Sequence, residues 1–364
     1  MKKTFLTRPI TPDFLIYRNF IKSIFSKKIF TNNGLFHKKL ELKLQRYFNL
    51  KDIALLSTGT DGLILALKSF NFSNHKEVIT SPFTWITSVN SIIMANLKPK
   101  FVDIDKDTLN INPDLVEKNI NKNTVAILIT HTFGNICDLG KIQKISRRNN
   151  LKVIYDASHC FGVKSIKSRN NFYNYGDASV LSLHSTKLFH TAEGGMVLSK
   201  NKKIINKIKI LKNNGVNKNS YPIVLGTNSK MSELHAALGL SILSKVDSEI
   251  KKRRLVYFSY KTKLKGKVIF QKRNEDFSNN YSYMPVMLKN EKNLIKIQKK
   301  LNKINVDSRR YFYPSLNKLK FYNTKKKCPI SEKISKTILC LPIYSGINLQ
   351  VIKKISKIII ANNV

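Results

Sequence analysis

Short apolar runs alternate along this chain with stretches whose apolar positions recur at helical spacing, the pattern of an α/β protein built on a largely parallel sheet. The runs IALLST, EVITSPF, KPKFVDID, TVAILITH, LKVIYDAS, DASVLSL and GGMVLS predict strands. Helices are expected between them over Asp61–Phe70, Thr87–Ala95 and Cys137–Asn149, joined by right-handed crossovers. From Ser232 to about Lys263 the periodicity is helical, with Leu234, Leu238, Leu240, Leu243 and Val246 toward one side. One long helix is therefore expected to lead into a second unit. Beyond it lie a strand-like YSYMPVML, an amphipathic helix over Asn293–Asn302, the segment VDSRRYFYPSL and a last helix over Gln350–Ala361, which fit a small α+β domain. The expected division is a large domain over residues 1–245, with a mixed, mostly parallel sheet, and a smaller C-terminal domain over 246–364.

Composition narrows the class. With 364 residues, 42% hydrophobic and 24% charged, the chain can bury a large core. Apolar runs such as Val125–Ile129 fall far short of a bilayer span, so no membrane partner is expected. Arg8, Pro9 and Pro12 interrupt any apolar leader at the start, and a cytoplasmic protein is expected. Cys137, Cys160, Cys328 and Cys340 show no paired spacing and read as reduced thiols, with neither a disulfide framework nor a zinc site. The net charge of +43 would by itself propose nucleic acid as partner. However, the lysines are spread over the whole length among many Asn and Ile residues, without a basic tail or an arginine–aromatic cluster. No nucleic-acid partner is expected, although small polyanionic substrates would be attracted.

Three segments carry candidate chemistry. STGTDGLILALKSF puts Ser57, Thr58, Gly59 and Thr60 at a strand-to-helix turn, where free N–H groups and the helix dipole favour an anion, although a merely capped turn reads the same way. LKVIYDASHCFG ends a strand on Asp156, at the edge where open α/β sheets bind ligands, with His159 three residues on. DASVLSLHSTKLFHTAEGG carries Ser182, His184 and Lys187 on the loop after another strand. A metal site from His159, His184 and His190 lacks both a common helical face and an acidic cluster, and no metal is expected.

In order and spacing these motifs resemble the DegT/DnrJ/EryC1/StrS family of sugar aminotransferases. The resemblance runs from TNNGLFHKKLELKL to LPIYSGI and includes TSPFTWITSVNSI, HTFGNICDLG and GTNSKMSELHAALGL. It implies a type I, aspartate aminotransferase-like fold and pyridoxal 5′-phosphate as cofactor. Lys187 would be the lysine that bonds to the cofactor and moves protons, and Asp156 the partner of the ring nitrogen. Trp85, the single tryptophan, would stack on the ring, and His159 would contact the phenolic oxygen. Gly59, Thr60 and Ser182 would form the phosphate cup. Asn228 would reach the phosphate of a neighbouring subunit, making a homodimer with shared active sites. Departures are HSTK for the commoner HATK, Asp61 where Ala or Leu is usual, and Lys230 where Arg is frequent. The related sugar 3-dehydratases carry histidine in place of the lysine, so Lys187 selects amino transfer.

Within the family, LSLHSTKLFHTAEGG and SRRYFYPSLN are most similar to members that form dTDP-4-amino-4,6-dideoxyglucose. The expectation is transfer of an amino group from L-glutamate to a nucleotide-linked 4-keto-6-deoxy sugar, feeding a surface glycan such as lipopolysaccharide O-antigen. Arg309, Arg310, Tyr313 and Lys230 are candidate substrate contacts. The alternatives are a 3-keto-sugar aminotransferase acting on another nucleotide sugar, and a noncatalytic regulator on the same fold.

Overall fold

The computed structural model describes residues 2–168 and 170–363. Two helices outside the expected set come first. In α1 (Phe14–Lys27) the Asp13 carboxylate accepts the N–H groups of Leu15 and Ile16, and α2 (Leu35–Phe48) buries Phe36, Leu40, Leu44 and Phe48 at helical spacing. Strands and helices then alternate through β1 (Ile53–Leu56), α3 (Gly59–Lys68), β2 (Glu77–Thr80), α4 (Ile86–Met94), β3 (Lys98–Phe101), α5 (Pro113–Lys118), β4 (Thr124–Thr130), α6 (Leu139–Arg148) and β5 (Lys152–Asp156). Next come β6 (Ala178–Ser182), β7 (Gly195–Leu198) and α7 (Lys202–Leu211).

The seven strands form one sheet in the order β1-β7-β6-β5-β4-β2-β3. All pairs are parallel except those of β7, which runs antiparallel to both of its neighbours. The α/β class with a mixed, mostly parallel sheet is thus observed. Alternate strand residues feed opposite cores: Leu55, Ile127 and Ile129 pack with α2 on one face, while Leu128, Ile154 and Val180 pack with α3 on the other. Burial on both faces is what an inner parallel sheet requires. The register sets Thr130 of β4 beside Asp156 of β5 and Asp156 beside Val180 of β6, so polar residues that end these strands share one edge.

The strands are shorter than the apolar runs. β3 stops at Phe101 because the next polar groups turn elsewhere: Asp103 takes the N–H groups of Ile330 and Ser331, and Asp105 that of Thr108. The single helix expected from Ser232 is two, α8 (Glu233–Ile242) and α9 (Val246–Leu264), separated by a 3₁₀ turn at Leu243–Lys245. The face of α8 that packs closest is its small-residue side and not the expected leucine stripe. Ala236 and Ala237 are fully buried, and a Cβ on Gly239 would stand 3.1 Å from Leu40 of α2. Glu233 then reaches α2 and accepts the N–H groups of Phe36 and His37 at 2.7 and 2.8 Å, capping a helix that has no cap of its own.

After α9 come β8 (Ile269–Phe270), β9 (Pro285–Met287), α10 (Glu291–Lys303), α11 (Pro329–Thr337), β10 (Ile338–Cys340) and α12 (Leu349–Asn362). The three strands make a small antiparallel sheet, β10-β9-β8, with a core of its own that includes Tyr260, Val286, Leu294, Leu339 and Ile355. The start of the chain, which a division at residue 245 would give to the first unit, lies along this second one: Thr4 pairs with Val306, and the Leu6 carbonyl accepts from Ile343 N–H. Buried Asn280 clamps the two parts by donating to the carbonyls of His159 and Phe161, both at 2.8 Å.

Candidate active site

The ends of β4, β5 and β6 and the start of α3 converge on a cavity of about 330 Å³. Seven of the eight residues expected to hold the cofactor line it together: Gly59, Thr60, Trp85, Asp156, His159, Ser182 and Lys187. The opposite wall comes from the C-terminal part of the chain, through Tyr283, Arg309, Tyr311 and Phe312. Tyr283, Tyr311 and Phe312 lie in the YSY and SRRYF segments, where no sequence signal marks them as site residues. The four cysteines are unpaired and buried. Among the described residues, no group of three or more His, Cys, Asp or Glu side chains could hold a metal ion.

An anion would be met at the start of α3. Thr58 caps this helix by accepting the Asp61 N–H at 3.0 Å, and first-turn N–H groups have no acceptor within their own helix. Glycine lets the backbone pack closely at this turn. A Cβ on Gly59 would stand 3.0 Å from the Ser182 Cβ, and one on Gly195 would collide with the Thr58 carbonyl. Asp61, the unusual acid in this turn, is engaged locally: its Oδ2 accepts from the Ser57 and Thr58 hydroxyls, both at 2.7 Å. The departure from the family's usual turn sequence therefore adds a local brace beside the anion site.

Asp156 is 5% exposed and held by three donors, Ser158 N–H, Ser158 Oγ and Ser88 Oγ. Lys187 donates from Nζ to the Tyr283 hydroxyl at 3.3 Å. Burial pushes its ammonium below the ordinary lysine range, and the nearby Asp156 carboxylate opposes part of that shift. His159 accepts the Phe133 N–H on Nδ1 at 3.2 Å. Burial first, and then the Lys187 charge, hold its pKa well below the usual histidine value. The ring is thus neutral, and this hydrogen bond assigns its one proton to Nε2. Trp85 is 46% exposed and so is no core residue. Its ring meets Tyr311 edge-on at 6.1 Å, and the Arg309 guanidinium lies 5.3 Å from the Trp85 ring centre and 4.8 Å from that of Tyr311. Among the described residues Arg309 has no ion-pair partner.

Four of the expected residues stand outside the cavity. Arg310 is drawn away by Glu291, to which it donates at 2.6 Å, and it stacks on Tyr313 at 3.4 Å. Of the expected substrate contacts Arg309 lines the cavity, as does Tyr311, whereas Arg310 and Tyr313 do not. Lys230 does not line it. Asn228 is exposed and pairs with Asn213 at the base of a surface loop.

Comparison with known proteins agrees with this geometry. The model of the DegT/DnrJ/EryC1/StrS aminotransferase family matches residues 17–360. The chain is 36% identical over 362 residues to the dTDP-4-amino-4,6-dideoxy-D-glucose transaminase of Shigella dysenteriae, covering 97% of each. It is 28% identical to the GDP-perosamine synthase of Escherichia coli O157:H7, covering 87% of each. The fold is that of DesI, solved in the presence of its TDP-sugar product, with a TM-score of 0.92 at 24% identity over 99% of this chain and 93% of that one.

Proposed function

The chain belongs to the DegT/DnrJ/EryC1/StrS aminotransferase family and is a pyridoxal-phosphate-dependent sugar aminotransferase, and from that premise we propose that it moves the amino group of L-glutamate to C4 of dTDP-4-dehydro-6-deoxyglucose. The product, dTDP-4-amino-4,6-dideoxyglucose, would supply a surface polysaccharide, and the enzyme would work in the cytoplasm. Among the described residues no helix is long and apolar enough to cross a membrane. The observation that carries the reading is a buried-end lysine, Lys187, between a carboxylate and a phenol in a cavity that also holds an anion cradle. The choice of a dTDP-linked 4-keto sugar rests on the full-length likeness to the Shigella enzyme.

The cavity suits the cofactor on three counts. The α3 turn and the Ser182 hydroxyl suit its phosphate, and Asp156 has an acceptor site left for a ring N–H. Trp85 offers a flat face. When bound, pyridoxal phosphate supplies an electron sink for the charge that develops at the amino-bearing carbon. Lys187, its neutral form favoured by burial, takes the proton from that carbon of the donor and returns one to the sugar carbon. His159 donates from Nε2, and Trp85 limits tilt of the ring. Arg309, which has no ion-pair partner among the described residues, draws the anionic groups of both substrates at the cavity wall.

A panel of dTDP-, GDP- and UDP-linked 4-keto and 3-keto sugars, each assayed with glutamate, tests the assignment. We expect the highest kcat/KM with dTDP-4-dehydro-6-deoxyglucose, by about tenfold or more over any other. Preference for a GDP-linked sugar would favour the reading suggested by the perosamine synthase. Preference for a 3-keto sugar would overturn the position of transfer. The noncatalytic alternative falls with membership of an enzyme family.

The proposal includes a homodimer in which Asn228 completes the partner's phosphate site. It is supported by the exposure of Asn228 outside its own cavity, on a loop whose Tyr221 and Leu225 are 68% and 86% exposed, an apolar surface that calls for a cover. Mixing inactive Lys187→Ala and Asn228→Asp subunits tests it. With shared sites, one site of each heterodimer carries both defects and the other neither, so activity returns on mixing. No recovery despite demonstrated subunit exchange would put Asn228 to work in its own chain.

A further inference from the structure

Asp156 accepts three hydrogen bonds from this chain and has room for one more. Oδ1 takes the Ser158 N–H at 3.1 Å and the Ser158 hydroxyl at 2.6 Å, while Oδ2 takes the Ser88 hydroxyl at 2.6 Å. A carboxylate offers about four lone-pair sites. The vacant one is therefore on Oδ2, the oxygen that Ser88 holds.

Ser88 does not act alone. Its Oγ lies 3.0 Å from Thr84 Oγ1, which lies 2.6 Å from Thr130 Oγ1. Each hydroxyl carries one proton, and an ionised carboxylate only accepts. Ser88 must direct its proton to Asp156, so the contact with Thr84 requires the Thr84 proton. The contact with Thr130 then requires the Thr130 proton. All three contacts are satisfied in one arrangement alone, with Thr130 donating to Thr84, Thr84 to Ser88 and Ser88 to Asp156. The chain is little exposed: Ser88 is fully buried, and Thr84 and Thr130, which border the cavity, are 1% and 6% exposed. Its members come from the end of β4, the loop before α4 and the first turn of α4, brought together by the parallel pairing of β2 and β4. Aligned hydroxyls polarise one another, and a chain that ends on a charge gains most.

We propose that Thr130, Thr84 and Ser88 are positioning residues that hold negative charge on Asp156 and so keep the proton it shares with the cofactor on the ring nitrogen. This rests on the reading that Asp156 faces that nitrogen. The chemistry gives the chain a purpose beyond filling space. If the carboxylate took the proton, both partners would become neutral, and the ring would lose the positive charge that makes it an electron sink. Three donors on the carboxylate, one backed by two further hydroxyls, oppose that transfer.

The readout that a merely structural role would leave unmoved is the ¹⁵N chemical shift of ring-labelled pyridoxal phosphate in the holoenzyme. Ser88→Ala is expected to move it toward the unprotonated pyridine position and to lower kcat by roughly tenfold, with KM for the keto sugar within about twofold. Thr84→Val and Thr130→Val shift it the same way by less, and Ser88→Thr, which keeps the hydroxyl, restores the wild-type signal. If Ser88→Ala fails to fold or to retain cofactor, Thr84→Val and Thr130→Val decide by the same signal. An unmoved signal in folded, cofactor-loaded variants overturns the proposal. Asp156→Asn separates the two layers. If it moves the signal and the hydroxyl variants do not, the chain alone fails. If it does not move the signal either, the role of Asp156 fails with it.

Discussion

Lys187→Ala is expected to lower kcat/KM by roughly a thousandfold or more while the chain still folds. Among the described residues no other lysine lines the cavity, and the remaining basic groups there have other placements: Arg309 sits against two aromatic rings, His159 is held neutral with Nδ1 already engaged, and His184 accepts the Thr186 N–H on Nδ1 with Nε2 3.5 Å from Glu193. None of these is a movable amine. The structural loss is small, since the one hydrogen bond of Nζ is the 3.3 Å contact with Tyr283, and the residue sits on a loop between β6 and β7. Thermal melting should shift by only a few degrees. Borohydride should no longer fix the cofactor to the chain, although the phosphate cup can still retain it. Because burial lowers the Lys187 pKa, the neutral amine is present at lower pH than for an exposed lysine, and small amines added in trans should restore activity more as the pH rises. Turnover within about tenfold of wild type would remove Lys187 from this role.

The half of the site carried by the parallel sheet was legible in sequence for a physical reason. A strand buried on both faces reads as an apolar run, and the first polar residue after it marks the sheet edge where ligands bind. Asp156 and Ser182 both end such runs, and Lys187 follows one. The opposite wall had no such marker. β9 is three residues long, and Tyr283 reaches the cavity just before it, from a segment that reads as ordinary strand. The choice between Arg309 and Arg310 illustrates the limit. The backbone of Arg309 pairs with Cys340 through both its N–H and its carbonyl, and neighbours on an extended segment point to opposite sides. One arginine therefore faces the cavity and the next faces Glu291, a difference set by a pairing partner distant in sequence. The helix break at Leu243 was hidden for a related reason: its neighbour α8 is shaped by small residues packed on α2, which a count of leucines ignores.

Asp156→Asn is expected to lower kcat by roughly 10²–10³-fold with the cofactor still bound, although the two side chains have nearly the same shape. The reason lies in which groups can reverse. The amide oxygen must face Ser158, because the backbone N–H there donates and has no other role. The amide NH₂ then replaces Oδ2 and meets Ser88, whose proton has lost its acceptor. Ser88 can answer only by turning its hydroxyl, and Thr84 and Thr130, at 3.0 and 2.6 Å along the chain, must turn with it. The position that offered a lone pair to the cofactor now offers an N–H, and that suits a ring nitrogen without a proton. A single substitution thus swaps the preferred protonation state of the ring while leaving the packing around it unchanged, so binding of either substrate should change by less than about threefold while the chemical step slows. Single-turnover measurement of the glutamate half-reaction, separately from KM, checks this split. A half-reaction at the wild-type rate in Asp156→Asn would sink the assignment of Asp156 as the partner of the ring nitrogen.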